Sequence, residues 1–416
     1  MAKATIKRIS ARQIIDSRAT PTIEVTVTAG EFSGTFGVPS GASTGSAEAC
    51  ELRDGGSEFL GKAVTRAMHN VNEVLAKRLK GADVLKQQQI DQMMIDLDGT
   101  ANKSRLGANA ILGVSGAVAK AAAASKKQPL YKYIAGLHKT KKVRIPRPMM
   151  NLINGGLHGD TNLDIQEFMV VPNLGSAKAN VQLGAEVFLH LKKIFEGRKM
   201  STNVGNEGGY SPRVESNRQA LELLLEAVKA AGYEAGKDVG LALDVAATNI
   251  YQENDRQYVL SADHISLSAE RLVSLYKEWI ATYHLISIED GLAEEDWEGW
   301  SAMQKRLGGS AMLVGDDLFT TQVGRLNKGI EKGAGNAIII KPNQVGTVTE
   351  SLATVKLAQD HKYKVIASHR SGETGDDFIA DFAVGVGADF LKAGAPSRGE
   401  RVAKYNRLMK IEEELM

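Results

Sequence analysis

Six apolar runs in the second half of the chain each end in a charged residue. The runs LALDVAA, LISIEDG, AMLVGDD, NAIIIKP, KVIASHR and ADFLKAG close on Asp244, Glu289, Asp316, Lys341, Arg370 (beside His369) and Lys392. A single charge at the end of a strand is what a chain leaving the core ordinarily meets, but six in succession form a pattern. Successive intervals are 45, 27, 25, 29 and 22 residues. The last four are each about one strand plus one helix long, which puts all six residues at the carboxyl ends of neighbouring strands. Three are carboxylates with no Cys or His at ligand spacing, a set that suits a hard cation such as Mg²⁺ better than zinc. The other three are cations, expected on the opposite side, and cations facing a metal require an anion between them. A phosphorylated or carboxylated small molecule is the expected substrate. A lysine placed there should have its pKa lowered from about 10.4 towards the ~7 to 8 useful to a general base, a shift worth roughly 4 kcal/mol.

Positioning such residues requires strands that alternate with helices. The six runs are continuous stretches of apolar residues, as strands buried on both faces require, and helical patterns such as 269–282 lie between them. Strand-like PMMNLI and EFMVVP precede them, giving eight strands and predicting a closed parallel barrel of the TIM type. Upstream, Ile23, Val25 and Val27 alternate with polar residues, and 32–38 follows Gly30 as a hairpin partner. Helical spacing covers 58–80, 87–97 and 109–125, the last rich in Ala. The basic, proline-containing HKTKKVRIPRP divides the chain into an α+β capping domain, 1–137, and an α/β barrel domain, 138–416.

Composition narrows the function classes. The 416 residues are 43% hydrophobic and 24% charged, which excludes disorder and fibres. Lys+Arg 51 against Asp+Glu 49 leaves a net charge of +2, too balanced to attract nucleic acid or a membrane surface, so neither is an expected partner. One cysteine, Cys50, fits a reducing compartment. No run approaches the ~18 apolar residues of a membrane span, and MAKATIKRIS lacks a signal-like stretch, so a cytoplasmic location is expected.

Three familiar motifs fail. GASTG (41–45) spells a nucleophile elbow around Ser43, yet no strand leads into a helix there; a ligand-closing loop or an ordinary turn suits PSGASTG better. GSEFLGK (56–62) begins like a phosphate loop, but Ala63 stands where a hydroxyl is needed. No GxGxxG supports a dinucleotide site.

The remaining motifs carry a family resemblance. SGASTG (40–45), LDGTANKS (97–104), GANAILGVS (107–115), INGGLHGD (153–160), IQEFMVVP (165–172), VGNEGGYSP (204–212), ALDVAA, SIED, VGDDLF, IKPNQVGT (340–347), SHRSGET (368–374) and ERVAKYN (400–406) closely resemble the enolases, particularly the bacterial form. The resemblance implies reversible dehydration of 2-phosphoglycerate to phosphoenolpyruvate in glycolysis, with two Mg²⁺ per site. By the same match Asp244, Glu289 and Asp316 would bind the first magnesium and Ser40 the second. Lys341 would take the C2 proton and Glu207 would protonate the departing C3 hydroxyl, a lysine-and-magnesium pairing characteristic of the family. Gln166, Glu167 and Lys392 would lie at the substrate, Arg370 and Ser371 would hold its phosphate, and His158 would belong to a closing loop with Ser40. A homodimer or an assembly of dimers is implied, and a cell-surface or secreted pool is known among relatives.

Some positions depart from the family. Asn206 replaces the usual Asp before Glu207, removing a charge that would help keep that acid protonated. Gly159 and Gln322 replace Ala and Asn. Two alternatives follow: a related barrel dehydratase acting on an unphosphorylated sugar acid, and a catalytically weakened homologue acting as a binding or scaffold protein.

Overall fold

The computed structural model describes residues 4–41 and 45–416; Ser43 and the centre of the PSGASTG loop lie outside them. Strands Ile6–Ile15, Pro21–Ala29 and Phe32–Gly37 form an antiparallel sheet in sequence order. The expected hairpin closes through two residues between the paired Ala29 and Phe32, and Gly30 takes the left-handed φ of +64° that this turn needs. The first strand escaped the sequence reading. Its charged residues and a register shift between Ile6 and Arg8 blur the alternation.

Ile23, Val25 and Val27 are fully buried beneath the helix Ala108–Ser125. That helix is rich in small residues because it lies almost on the sheet. A Cβ at Gly113 would stand 2.5 Å from Val25, and one at Gly116 2.7 Å from Phe36. The helix expected over 58–80 is shorter than its spacing suggested. Glu58–Gly61 is a single 3₁₀ turn with Phe59 and Leu60 at positive φ, and helix begins at Thr65, with a π-helical stretch at Asn70–Leu75.

Eight strands close the barrel: Arg147–Asn154, Glu167–Pro172, Val239–Asp244, Leu285–Glu289, Met312–Gly315, Ala337–Ile340, Lys364–Ser368 and Phe390–Lys392. Met149, Met169, Ala242, Val314, Ile339, Ile366 and Phe390 fill its interior. One expectation is corrected: Glu167–Pro172 runs antiparallel to both neighbours. The connection 155–166 contains only a 3₁₀ turn and is too short for a helical crossover, so the chain turns straight back. This reversal places the start of the strand, not its end, on the rim where the other strands finish, and Glu167 pairs directly with Asp244. The long interval before Glu289 is filled by a small sheet, 251–267, and the helix Ala269–Tyr283.

The sheet domain is tied to the barrel close to this rim. Asp91 accepts the Thr349 amide (3.0 Å), Ser115 Oγ accepts that of Val348 (3.0 Å), and the Ser40 and Gly372 backbones exchange two bonds of 2.8 Å. Among the described residues no helix is long and apolar enough to cross a membrane.

Candidate active site

The barrel rim opens into a cavity lined by His158, Gln166, Glu167, Glu207, Asp244, Asp290, Asp316, Asp317, Lys341, His369, Arg370, Ser371 and Lys392. Ten of the twelve residues expected at a site from sequence are therefore gathered around one space. Glu289, just behind it, is fully buried and bonds Lys392.

Contrary to expectation, the cations interleave with the carboxylates instead of facing them. Lys392 Nζ meets both Glu289 oxygens (2.9 and 2.8 Å), Asp244 Oδ2 (3.2 Å) and Glu167 Oε2 (3.2 Å). Lys341 Nζ contacts Asp316 Oδ2, whose other oxygen accepts from Gln344 Nε2 (3.0 Å). Charges this deeply buried must pair with their nearest opposite, and the lysines are long enough to reach. The pairing also reverses the expected pKa shift. Burial alone would lower Lys341, but the Asp316 carboxylate against it holds the ammonium above its ordinary value. Lys392 behaves likewise: burial lowers it, and Asp244, Glu167 and Glu289 raise it well beyond that.

The carboxylates remain in excess. Burial and the neighbouring Asp244 charge push Glu289 well above the carboxylate range, and burial with Asp316 pushes Asp317 up to about 7. Asp290, at φ 42°, folds its carboxylate back to accept the amides of Asp316 (3.0 Å) and Asp317 (2.9 Å). Two groups bring one ligand atom per residue within 4.8 Å of one another: Asp290 with Asp316 and Asp317, and His158 with Glu167 and Glu207. Asp244, Glu289 and Asp316 are not gathered that tightly, because ammonium groups stand between them. Around the barrel mouth the oxygen donors dominate, a donor set that fits a hard dication.

Beyond Glu167, His158 Nδ1 lies 3.4 Å from Glu167 and 3.6 Å from Glu207, and His369 Nε2 lies 3.3 Å from Glu207 Oε2. Burial and the Glu207 charge raise Glu167 to about 7. Burial alone would raise Glu207 too, but the His369 and His158 rings and the Arg401 charge draw it well below its usual range. Because burial lowers His369 to about 4, that ring is neutral near pH 7 and faces Glu207 with a close Nε2 contact, not a charge. The Asn206 side chain takes no part in this pair; its backbone joins His158 (2.9 Å) and Arg401 (3.0 Å).

Arg370 is buried and bound in a fork by Glu48 (2.9 and 3.1 Å), with Asn343 on the same Nη1 (2.9 Å). Glu48 was not read from sequence, since nothing local marks a carboxylate from the first domain as an arginine partner. Ser40 is not brought to the acidic groups. Its Oγ donates to Glu51 (3.0 Å) and accepts from Arg53 (3.1 Å).

A barrel with this antiparallel strand, capped by an α+β domain, matches two family descriptions. Residues 6–134 match "Enolase, N-terminal domain" and residues 142–416 match "Enolase, C-terminal TIM barrel domain". The chain belongs to the enolase family. Membership of the enolase superfamily carries lyase chemistry on a small molecule, and the acidic groups at the rim of this enolase-family barrel are compatible with Mg²⁺.

Proposed function

We propose that this protein dehydrates 2-phosphoglycerate to phosphoenolpyruvate and water, reversibly. The observation that carries the reading is that Lys341 and Glu207 line one cavity, with Arg370, Ser371 and the acidic residues between and around them. Lys341 Nζ takes the proton from C2, and Glu207 gives a proton to the C3 hydroxyl, which leaves as water as the C2–C3 double bond forms. Asp244, Glu289 and Asp316 would hold magnesium. When bound, the two ions would supply the charge that offsets an enolate beside a carboxylate, and would lower Lys341 by like charge while taking Asp316 from it.

The remaining roles belong to this chain's own groups. Arg370 and Ser371 hold the phosphate. Lys392, Gln166 and Glu167 orient the carboxylate end, and His158 closes over it. Glu167 and Glu207 share a buried environment in which burial and the negative charge of one favour a proton on the other, so the site stores a proton near neutrality. For its transfer that proton must stand on Glu207. Ser40 must leave Glu51 to become a ligand, a movement of the loop that carries it.

The test is conversion of 2-phosphoglycerate with Mg²⁺ beside unphosphorylated sugar acids. Conversion of 2-phosphoglycerate alone supports the reading. Turnover of the sugar acids in its place would favour the related dehydratase, and turnover of neither the scaffold role. Assembly as dimers and a cytoplasmic location belong to the same proposal.

A further inference from the structure

Arg401 has no solvent exposure and does not line the site cavity, yet it holds three parts of the site together. Its Nη1 donates to His369 Nδ1 (2.6 Å) and the Arg370 carbonyl (2.6 Å). Its Nη2 donates to the carbonyls of Ser371 (2.5 Å) and Asn206 (3.0 Å) and to Ser17 Oγ (3.3 Å). A guanidinium has five N–H donors and no acceptor, so the imidazole nitrogen it meets must present a lone pair. With Nδ1 thus engaged, the neutral ring carries its proton on Nε2, the nitrogen 3.3 Å from Glu207 Oε2. The same oxygen accepts from Asn151 Nδ2 (3.1 Å). The Nε2 contact is close but poorly aligned in this resting arrangement, as contacts that tighten around a substrate often are.

We propose that Arg401 is a positioning residue that locks His369 as the neutral Nε2–H tautomer, so that the ring only donates to Glu207. The consequence is an assignment of the two carboxyl oxygens. Oε2 faces N–H donors from Asn151 and His369, which leaves Oε1, the oxygen towards His158, to carry the proton that is transferred. A ring in the other tautomer would turn a lone pair on Oε2, repel the carboxylate and draw the proton to the wrong oxygen. The other charged group near the ring, Glu373, is neutralised by Lys404 (2.8 Å) and does not compete for Nδ1. The link to catalysis rests on Glu207 as proton donor; the tautomer does not.

The experiment is long-range ¹H–¹⁵N correlation of histidine-labelled protein, with His369 assigned through His369→Asn. The wild-type ring should show an unprotonated Nδ1 and a protonated Nε2 that stay unchanged across neutral pH. Arg401→Lys should keep the tautomer, because an ammonium also only donates. Arg401→Met should release it and lower kcat about 10- to 100-fold with little change in KM, the usual scale for a supporting partner. A proton on Nδ1 in the wild type, a doubly protonated ring near neutrality, or a Met variant with the wild-type tautomer would overturn the proposal. So would a changed tautomer with unchanged turnover. If Arg401→Met does not fold, the wild-type spectrum and Arg401→Lys still decide. A wild-type protein with the expected tautomer but no turnover of 2-phosphoglycerate would count against the reaction, not the lock.

Discussion

Lys392→Met removes an ammonium shared by Glu289, Asp244 and Glu167 at 2.8 to 3.2 Å. At an effective dielectric constant of about 20, a contact near 3 Å is worth ~5 kcal/mol before desolvation. Most of that is cancelled by taking the charges out of water, and stripping one partner from a buried pair typically costs about 3 to 5 kcal/mol. Chelator-treated Lys392→Met should therefore lose about that much in denaturant unfolding. The loss should grow as pH rises, because the three carboxylates can relieve their repulsion only by holding protons, and the folded chain then binds more protons than the unfolded one. Magnesium should compensate. At a hundred times its dissociation constant an ion that binds only the folded state adds about 2.7 kcal/mol. That increment should be larger in the variant, where no ammonium occupies the carboxylates. A variant as stable as its parent in chelator, and gaining no more from Mg²⁺, would refute the reasoning.

His369 and Glu167, both close to Glu207, give opposite dependences of stability on pH. His369 is lowered to about 4 by burial. Between there and the unfolded value of about 6.5 the unfolded chain binds the extra proton, so stability should fall by about 3 kcal/mol in all as pH drops through that window, and His369→Asn should lose this portion of the slope. Glu167, raised to about 7 by burial and Glu207, contributes stability that is present below its unfolded value and lost as pH rises through 7. In chelator, Glu167→Gln should abolish that decline, and an unchanged profile would sink the assignment. Asn206→Asp places a carboxylate in the backbone turn that joins His158 to Arg401, and like-charge repulsion should raise Glu207. The alkaline limb of the forward rate should then move upward in pH, and superimposable profiles would reject the electrostatic account.

The residues at strand ends were legible because a barrel turns a linear rhythm into a ring: Asp244, Glu289, Asp316, Lys341, Arg370 and Lys392 needed only the spacing of one βα unit. Gln166 and Glu167 obeyed a different rule. They begin an antiparallel strand, and EFMVVP has no feature that reports its direction; the short connection 155–166 sets it. The family resemblance, not periodicity, pointed to His158 and Glu207. Glu48, Asp290, Asp317 and Arg401 were invisible because each acts through partners that only folding brings close. Lys341 illustrates the limit for charge: its type and place were readable, but the sign of its shift depends on Asp316, 25 residues upstream yet in direct contact.

The most direct test of the division between base and acid follows exchange of the C2 hydrogen of 2-phosphoglycerate with deuterated solvent, beside water elimination, in Lys341→Ala and Glu207→Gln with Mg²⁺ present. A positioned base or acid contributes about 10² to 10⁴-fold. Lys341→Ala should lose exchange and elimination together on that scale, whereas Glu207→Gln should lose elimination and retain exchange, since the C2 proton can still leave and return. Exchange that persists in Lys341→Ala would contradict the account and give the base to another residue of the rim.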